Sequence, residues 1–400
     1  MATTMAVGLG GVVVARALGP SGRGEYAAIT AWFGISCMVG QMGLPAALCF
    51  YVAKDPKRAR DYVATSRTMM LATGMLTLIA GLLLAPVLSR GSPGVAEGYR
   101  IAFGTSIVTY VGIAYTYSLQ PGHIMRWNIV RAIQPVLSLL ILCALWPLGL
   151  ITLNGALVVI AATLALQLGW GYWYCRRDSL APGHARISLV RPLAAYGVAQ
   201  IAALTPATLN AQLDQLVLSQ TVASADLGRY AVAVSLASLP IPLVAAIGNV
   251  AFPRLAAQRG VTTATRKLQD HAVLASAGIA TAMLVPLALV AYWLVPFLFG
   301  AGYRAAVPLL WILTPGAIFL ACGQVTGDLL RGRNHPSVVA WSQGLAAVFT
   351  VVLLLVLLPV VGVYGAAIAS TAAYGVALAA MLRSLRHLPR HARGAGWIPN

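Results

Sequence analysis

Apolar residues run through this chain in long blocks, divided by short polar stretches. Read for hydropathy, the blocks predict twelve helices. They fall near 3–18, 25–52, 68–89, 100–120, 131–150, 155–175, 192–220, 228–252, 272–298, 305–330, 337–358 and 363–382. Most reach the ~20 residues that carry a helix across a bilayer core. The first block falls short of that length. The expectation is a trimmed first helix, or a chain that starts upstream. It has no basic n-region ahead of it, so no cleavable signal peptide is evident. The longest polar connections, 176–191 and 253–271, are too short to hold a catalytic domain.

Two short strings recur. "GEYA" occupies Gly24–Ala27 and "GRYA" Gly228–Ala231; "GYR" occupies Gly98–Arg100 and again Gly302–Arg304. Both pairs are 204 residues apart. The first pair opens the second and eighth predicted helices, and the second pair precedes the fourth and tenth. Six helices return a chain to the same side of the membrane. The halves therefore read as a parallel repeat about an axis along the membrane normal. The predicted fold is an all-α polytopic membrane protein. About twelve transmembrane helices form two parallel six-helix lobes around a central cavity. The expected division is an N-lobe over 1–176, a cytoplasmic linker over 177–191, a C-lobe over 192–383 and a basic cytoplasmic tail over 384–400. Two like lobes about a cavity suit alternating access.

Composition agrees. Of 400 residues, 59% are hydrophobic and 9% charged, against roughly 25% charged in soluble domains. Such a chain cannot cover a water-facing surface. The net charge of +18 does not indicate nucleic acid, because no soluble segment interleaves basic and aromatic residues. It follows the positive-inside rule instead. One set of loops and the tail hold 21 of the 27 Lys and Arg, from Lys54, Lys57, Arg58, Arg60 and Arg67 through to Arg383, Arg386, Arg390 and Arg393. The opposite side holds Arg16, Arg23, Arg90, Arg100, Arg229 and Arg304. This bias places both termini in the cytoplasm.

Candidate chemistry is sparse. Cys37, Cys49, Cys143, Cys175 and Cys322 make no CxxC and read as small core residues. The six histidines fall in or beside polar loops, which leaves no histidine relay, no intramembrane Ser/His/Asp set and no metal site. No Walker motif or HExxH is present.

Among nine acidic residues, Asp214 alone lies well inside a predicted helix. An ionised Asp at mid-membrane costs about 2.5–3.5 kcal/mol on insertion scales, so it faces a cavity or a partner. Its helix reads "QIAALTPATLNAQLDQLVLSQ". Gln200, Asn210 and Asp214 share one side, and Thr205, Thr208, Gln212 and Gln215 widen the polar arc. Pro206 removes a backbone hydrogen bond. Two readings stay open for Asp214: a cavity wall, or pairing with an arginine such as Arg16 or Arg229. Two also stay open for the outer-side arginines. Their planar guanidiniums suit a pyrophosphate or an acidic sugar, and they also suit lipid-headgroup anchoring.

"ARALGPSGRGEYAAI" (Ala15–Ile29) resembles the first-loop signature of bacterial polysaccharide flippases. These are Wzx-type members of the multidrug/oligosaccharidyl-lipid/polysaccharide transporter superfamily. "LDQLVLSQTVASADLGRYAVAVSLASLP" (Leu213–Pro240) resembles their seventh-to-eighth helix segment. "VAFPRLA" (Val250–Ala256), "FGAGYRAAVPLLWIL" (Phe299–Leu313) and "GVYGAAIAST" (Gly362–Thr371) resemble later segments. The resemblance runs over nearly the whole chain and specifies the superfamily better than the substrate. It implies a transporter, not an enzyme, in the bacterial inner membrane. The implied cargo is an undecaprenyl-diphosphate oligosaccharide, turned from the cytoplasmic to the outer leaflet for exopolysaccharide, capsule or O-antigen synthesis. It implies no cofactor, coupling to a proton or sodium gradient, and partners among glycan polymerase and export machinery. Arg16, Arg23, Arg229, Gln200, Asn210 and Gln212 are the expected substrate contacts. Asp214 matches an acidic position often seen in the seventh helix and is the expected ion-coupling residue. The short first helix and the lack of a matching N-lobe carboxylate depart from the pattern. A drug/cation antiporter of the same fold is the competing reading. A lipid II flippase, whose relatives commonly carry fourteen helices, comes next. A membrane glycan polymerase or ligase is more remote, because such enzymes usually need a long outer loop.

Overall fold

A computed structural model describes residues 2–181, 183–256, 263–333 and 335–387. Arg259, Arg390 and Arg393, all counted on the basic side, lie outside the described residues, as does most of the expected tail. Among the described residues the regular structure is helical throughout. That is the expected outcome where hydrocarbon offers no hydrogen bonds to a bare backbone.

Each of the twelve predicted segments appears, several of them bent or broken. Helix α1 (Ala2–Gly40) contains the first segment and most of the second. Gly19 lies between the two limbs at φ 67°, ψ −179°, a conformation that glycine tolerates, and Pro20 starts the second limb. The second segment resumes in α2 (Leu44–Lys54) after a break at 41–43. Met42 and Gly43 are left-handed there, with φ of 49° and 65°. A Cβ on Gly43 would overlap the Gly197 carbonyl, so two backbones meet at that break.

Helix α3 (Ala59–Leu88) is continuous, whereas the fourth segment is split at Thr105 into α4 (Pro93–Gly104) and α5 (Ser106–Ser118). Next come α6 (Ile124–Leu145) and α7 (Leu153–Arg177), the latter capped by the Thr152 hydroxyl accepting from Gly155 N at 3.0 Å. The polar helix is α8 (Ile187–Thr221). The eighth segment is α9 (Ser224–Ala237) plus α10 (Ile241–Ala256), bent by 42° beside Pro240. The remainder are α11 (Thr263–Phe299), α12 (Ala306–Gly332), α13 (Pro336–Val361) and α14 (Val363–Arg386). Eight described helices are long and apolar enough to span a membrane unaided, or nine if α9 and α10 count as one. The other predicted spans are the broken ones and α8.

Packing divides the chain into two compact units, 1–232 with 295–304, and 233–294 with 305–400. This boundary follows how closely the backbone segments pack and cuts α9, whereas the sequence repeat divides the chain near 177–191. The reason lies in that stretch, which is fastened to the first unit. Arg186 pairs with Asp61 at 2.5 Å, and its backbone N donates to Thr65 Oγ1 at 3.0 Å. Arg60 donates to the Ser179 carbonyl at 2.5 Å. Asp178 pairs with Arg126, and His123 stands 3.6 Å from it. Helix α8 therefore starts on the first six segments. In the second unit, Ala366, Ala369, Ala373 and Ala377 line the buried face of α14. Thr371 donates to the Ile312 carbonyl of α12 at 2.8 Å, and a Cβ on Gly316 would collide with Thr371. Small residues bring these two helices close enough to gain dispersion contacts that lipid cannot match.

The repeat has a direct structural expression within the first unit. A Cβ on Gly24 would overlap the Ser224 carbonyl, and one on Gly228 would overlap the Pro20 carbonyl. Pro20 and Ser224 are themselves 204 residues apart. The two copies of the string thus cross each other, backbone on backbone, in a locally two-fold arrangement. Gly24→Ala or Gly228→Ala is expected to cost about 1–3 kcal/mol by overpacking, read as a lowered Tm in detergent. Gly104→Ala, where a Cβ meets nothing within 4 Å, should leave Tm unchanged or raise it.

Candidate functional site

Asp214 lies on α8 with 2% of its surface exposed. Its Oδ1 accepts from Gln215 N at 2.7 Å, and its Oδ2 accepts the hydroxyl of Tyr230 on α9, which is 0% exposed. A carboxylate at this depth requires donors, because its desolvation would otherwise cost several kcal/mol. A hydroxyl donating to an ionised group makes one of the stronger hydrogen bonds. Asn210, also 2% exposed, is one turn back on the same helix. Half-buried Gln212 stands against Gly34 of α1, whose absent Cβ would sit 3.6 Å from the Gln212 Oε1. On the next turn, Ser219 accepts from Trp32 Nε1 at 2.9 Å.

The arginines have other partners. Arg16 donates to the Phe297 carbonyl at 2.8 Å, near the end of α11, with its guanidinium 5.5 Å from the Trp146 ring centroid. Arg229 pairs with Asp226 at 2.8 Å and donates to the Gly302 carbonyl at 3.3 Å. Arg23 lies 5.4 Å from the Tyr26 ring centroid, and its buried Nε has no hydrogen-bond partner among the described residues. Each guanidinium serves a helix end or an aromatic face. Arg90 does the same, donating to the Val222 carbonyl at 2.9 Å.

Gln200 lies at the other end of α8, in a cavity of about 550 Å³. Phe50, Tyr117 and Tyr196 supply aromatic faces there, and Gln41, Gln120 and Gln200 supply amides. Tyr196 stacks on Phe50 with ring centroids 4.6 Å apart and 15° between planes. None of the described lining residues is charged. The break at 41–43 lies on this wall. Of the polar arc read from α8, Gln200 and Thr208 line this cavity, whereas Asn210, Gln212 and Asp214 do not; sequence reading also missed the opposite wall, because Phe50 and Tyr117 look like ordinary core aromatics until the break turns α2 toward α8. It also missed Tyr230, whose only signal was its place in "GRYA".

Removing the acceptor at Asp214 takes away a hydrogen-bond partner of the buried Tyr230 hydroxyl. Asp214→Ala is expected to lower stability by about 1–3 kcal/mol. Asp214→Asn, which keeps an acceptor for Tyr230, should cost less. Thermal unfolding of both variants in one detergent checks the order.

The profile of a family described as "Polysaccharide biosynthesis protein" matches residues 2–258. Over 291 residues the chain is 22% identical to the teichuronic acid biosynthesis protein TuaB of Bacillus subtilis (strain 168). That match covers 68% of this chain and 59% of TuaB, so the chain spans about three-fifths of the length of this curated relative. Among solved structures it is similar to the inward-facing conformation of a multidrug resistance MATE family transporter of the MOP superfamily. The TM-score is 0.79 at 14% identity, covering 96% of this chain and 94% of the other. It is also similar to the lipid II flippase MurJ in an inward closed conformation, with a TM-score of 0.76 at 12% identity, covering 97% and 86%. At such identities the likeness is one of fold: all-α, about twelve membrane helices, two lobes. With a family profile matched over more than half its length, the chain belongs to the polysaccharide biosynthesis protein family.

Proposed function

We propose that this multi-pass transporter is a flippase for a lipid-linked oligosaccharide, carried on a polyprenyl diphosphate from the cytoplasmic to the outer leaflet of the bacterial inner membrane. Both termini are cytoplasmic in this reading. The observation that carries it is the cavity between α2, α5 and α8. Aromatic faces cover the C–H faces of sugar rings, and amides bond their hydroxyls. Phe50, Tyr117 and Tyr196 with Gln41, Gln120 and Gln200 supply both without a charge. An organic cation would find aromatic faces here but no carboxylate to pair with, whereas the three amides match sugar hydroxyls. The chain's net +18 also suits an anionic diphosphate better than a cationic drug. Of the three candidate arginines, Arg23 keeps a donor uncommitted and is assigned to the phosphates. Transport is coupled to a proton or sodium gradient through Asp214.

The test is a deletion strain complemented with wild type, Asp214→Asn or Tyr196→Ala. Loss of surface glycan, with the lipid-linked intermediate accumulating inside, is expected without the protein. Wild type should restore export, Asp214→Asn should restore it poorly at normal protein levels, and Tyr196→Ala should lower it roughly tenfold, on the order of 1.4 kcal/mol. Normal glycan in the deletion strain, together with hypersensitivity to cationic drugs, would move the assignment to an antiporter.

A further inference from the structure

A second cavity, of about 230 Å³, lies in the first unit beside the crossing. Its walls come from α1, the turn from α3 to α4, and the turn from α8 to α9. In the proposed orientation it sits on the outer side, with Arg90. Its volume is below the roughly 300 Å³ at which pockets for drug-sized ligands begin. That leaves room for one small ring, not for a chain of them.

The wall carries polar groups that the fold itself does not use. The Tyr99 hydroxyl, on a side chain 0% exposed, has no hydrogen-bond partner among the described residues. Glu25 makes no ion pair among them. Arg90 commits one N–H to the Val222 carbonyl at 2.9 Å and keeps its other guanidinium donors. Its backbone is left-handed at φ 53°, a conformation that costs a residue with a Cβ, and Gly91 follows at φ 81°. That turn places Arg90 on the cavity wall. Ser92 and Ser224 add hydroxyls.

The repeat supplies an internal comparison. Tyr303 and Arg229 stand 204 residues after Tyr99 and Glu25. Tyr303 donates to the Ala15 carbonyl at 2.8 Å, and Arg229 pairs with Asp226 at 2.8 Å. The fold can therefore satisfy both positions internally, and it does so in one repeat. In the other it turns them toward a cavity.

Charge and hydrogen-bonding capacity narrow the ligand. The described lining holds one carboxylate and one guanidinium, so a bare anion meets Glu25 and a bare cation meets Arg90. A neutral ligand avoids both conflicts. Glu25 accepts, Arg90 donates, and Tyr99, Ser92 and Ser224 do either. Sugar hydroxyls, which also donate and accept, match that set. A ring bearing them replaces bound water nearly bond for bond. We propose that this cavity binds a single neutral sugar residue, with Glu25, Arg90 and Tyr99 each bonding hydroxyls of the ring. The site is separate from the aromatic cavity of α2, α5 and α8. Its binding of sugar stands alone; that the sugar belongs to a transported glycan rests on the flippase reading.

The test is protection of Val95→Cys, half-buried on the cavity wall, from a maleimide in purified full-length protein. Peptide mass spectrometry keeps the native cysteines from interfering. The probes are glucose, galactose and N-acetylglucosamine, set against inorganic phosphate and phosphoethanolamine. At least one sugar should slow labelling about threefold or more, with a Kd on the order of millimolar, as about a dozen heavy atoms support. Glu25→Gln and Tyr99→Phe should each weaken that protection about three- to tenfold, the effect of losing one hydrogen bond. Tyr99→Phe removes only an unpartnered oxygen, so its Tm should not fall, and a merely structural tyrosine would leave protection unchanged. Ligand-detected NMR on protein without the added cysteine gives the same comparison. No binding of any of the three sugars, binding of phosphate or phosphoethanolamine alone, or sugar binding unaltered in both variants would each overturn the inference. Sugar binding by a protein whose deletion leaves glycan export normal would remove the flippase reading and leave this site standing. Lost export on deletion, with no sugar binding here, would remove this site alone.

Discussion

Two helices can lie backbone against backbone only where neither carries a side chain. Gly24 and Gly228 meet that condition at equivalent places in the two repeats. Everything nearby follows from the closeness it permits. With α1 and α9 that near, Arg229 reaches the Gly302 carbonyl, and the Tyr303 hydroxyl reaches the Ala15 carbonyl at 2.8 Å. The second of these has no symmetric mate. Its counterpart would join Tyr99 to Ser219, and the Tyr99 hydroxyl is buried without a partner among the described residues. A small cavity of about 230 Å³ lies between them instead. The repeats share a crossing but not the bonds around it.

The membrane environment explains why polar groups here are few and tightly held. In hydrocarbon an unsatisfied donor or acceptor costs several kcal/mol. Thr and Ser hydroxyls mostly return to carbonyls three or four residues back, as Thr65, Thr116, Thr314 and Thr350 do. Asp214 cannot be satisfied by its own helix alone and draws on α9. That one requirement ties α8 to α9.

Much of the fold was legible because hydropathy and backbone satisfaction act along the chain. The twelve apolar blocks are all helical, and the polar arc of α8 is where its sequence placed it. The breaks were less visible. Gly19–Pro20 has a local signature, but Thr105 has none, and Met42–Gly43 depends on how closely Gly197 approaches. Contacts across the chain were least visible. The spacing of "GEYA" and "GRYA" announced a repeat but could not say that the copies touch. Asp214 was found by its depth and Tyr230 was not, since a tyrosine in an apolar helix looks like packing. The arginines were read by what guanidiniums can bind, and the structure shows helix-end carbonyls competing for the same donors.

The ion pairs at the basic rim have a bearing on biogenesis. Insertion machinery reads charge segment by segment, before distant helix ends have met. Asp61–Arg186 and Asp178–Arg126 each join elements far apart in sequence, so neither pair exists while orientation is being decided. The nascent chain therefore displays its full topological charge at the moment it is needed. Once α3, α6 and α8 assemble, two of those arginines are paired with carboxylates.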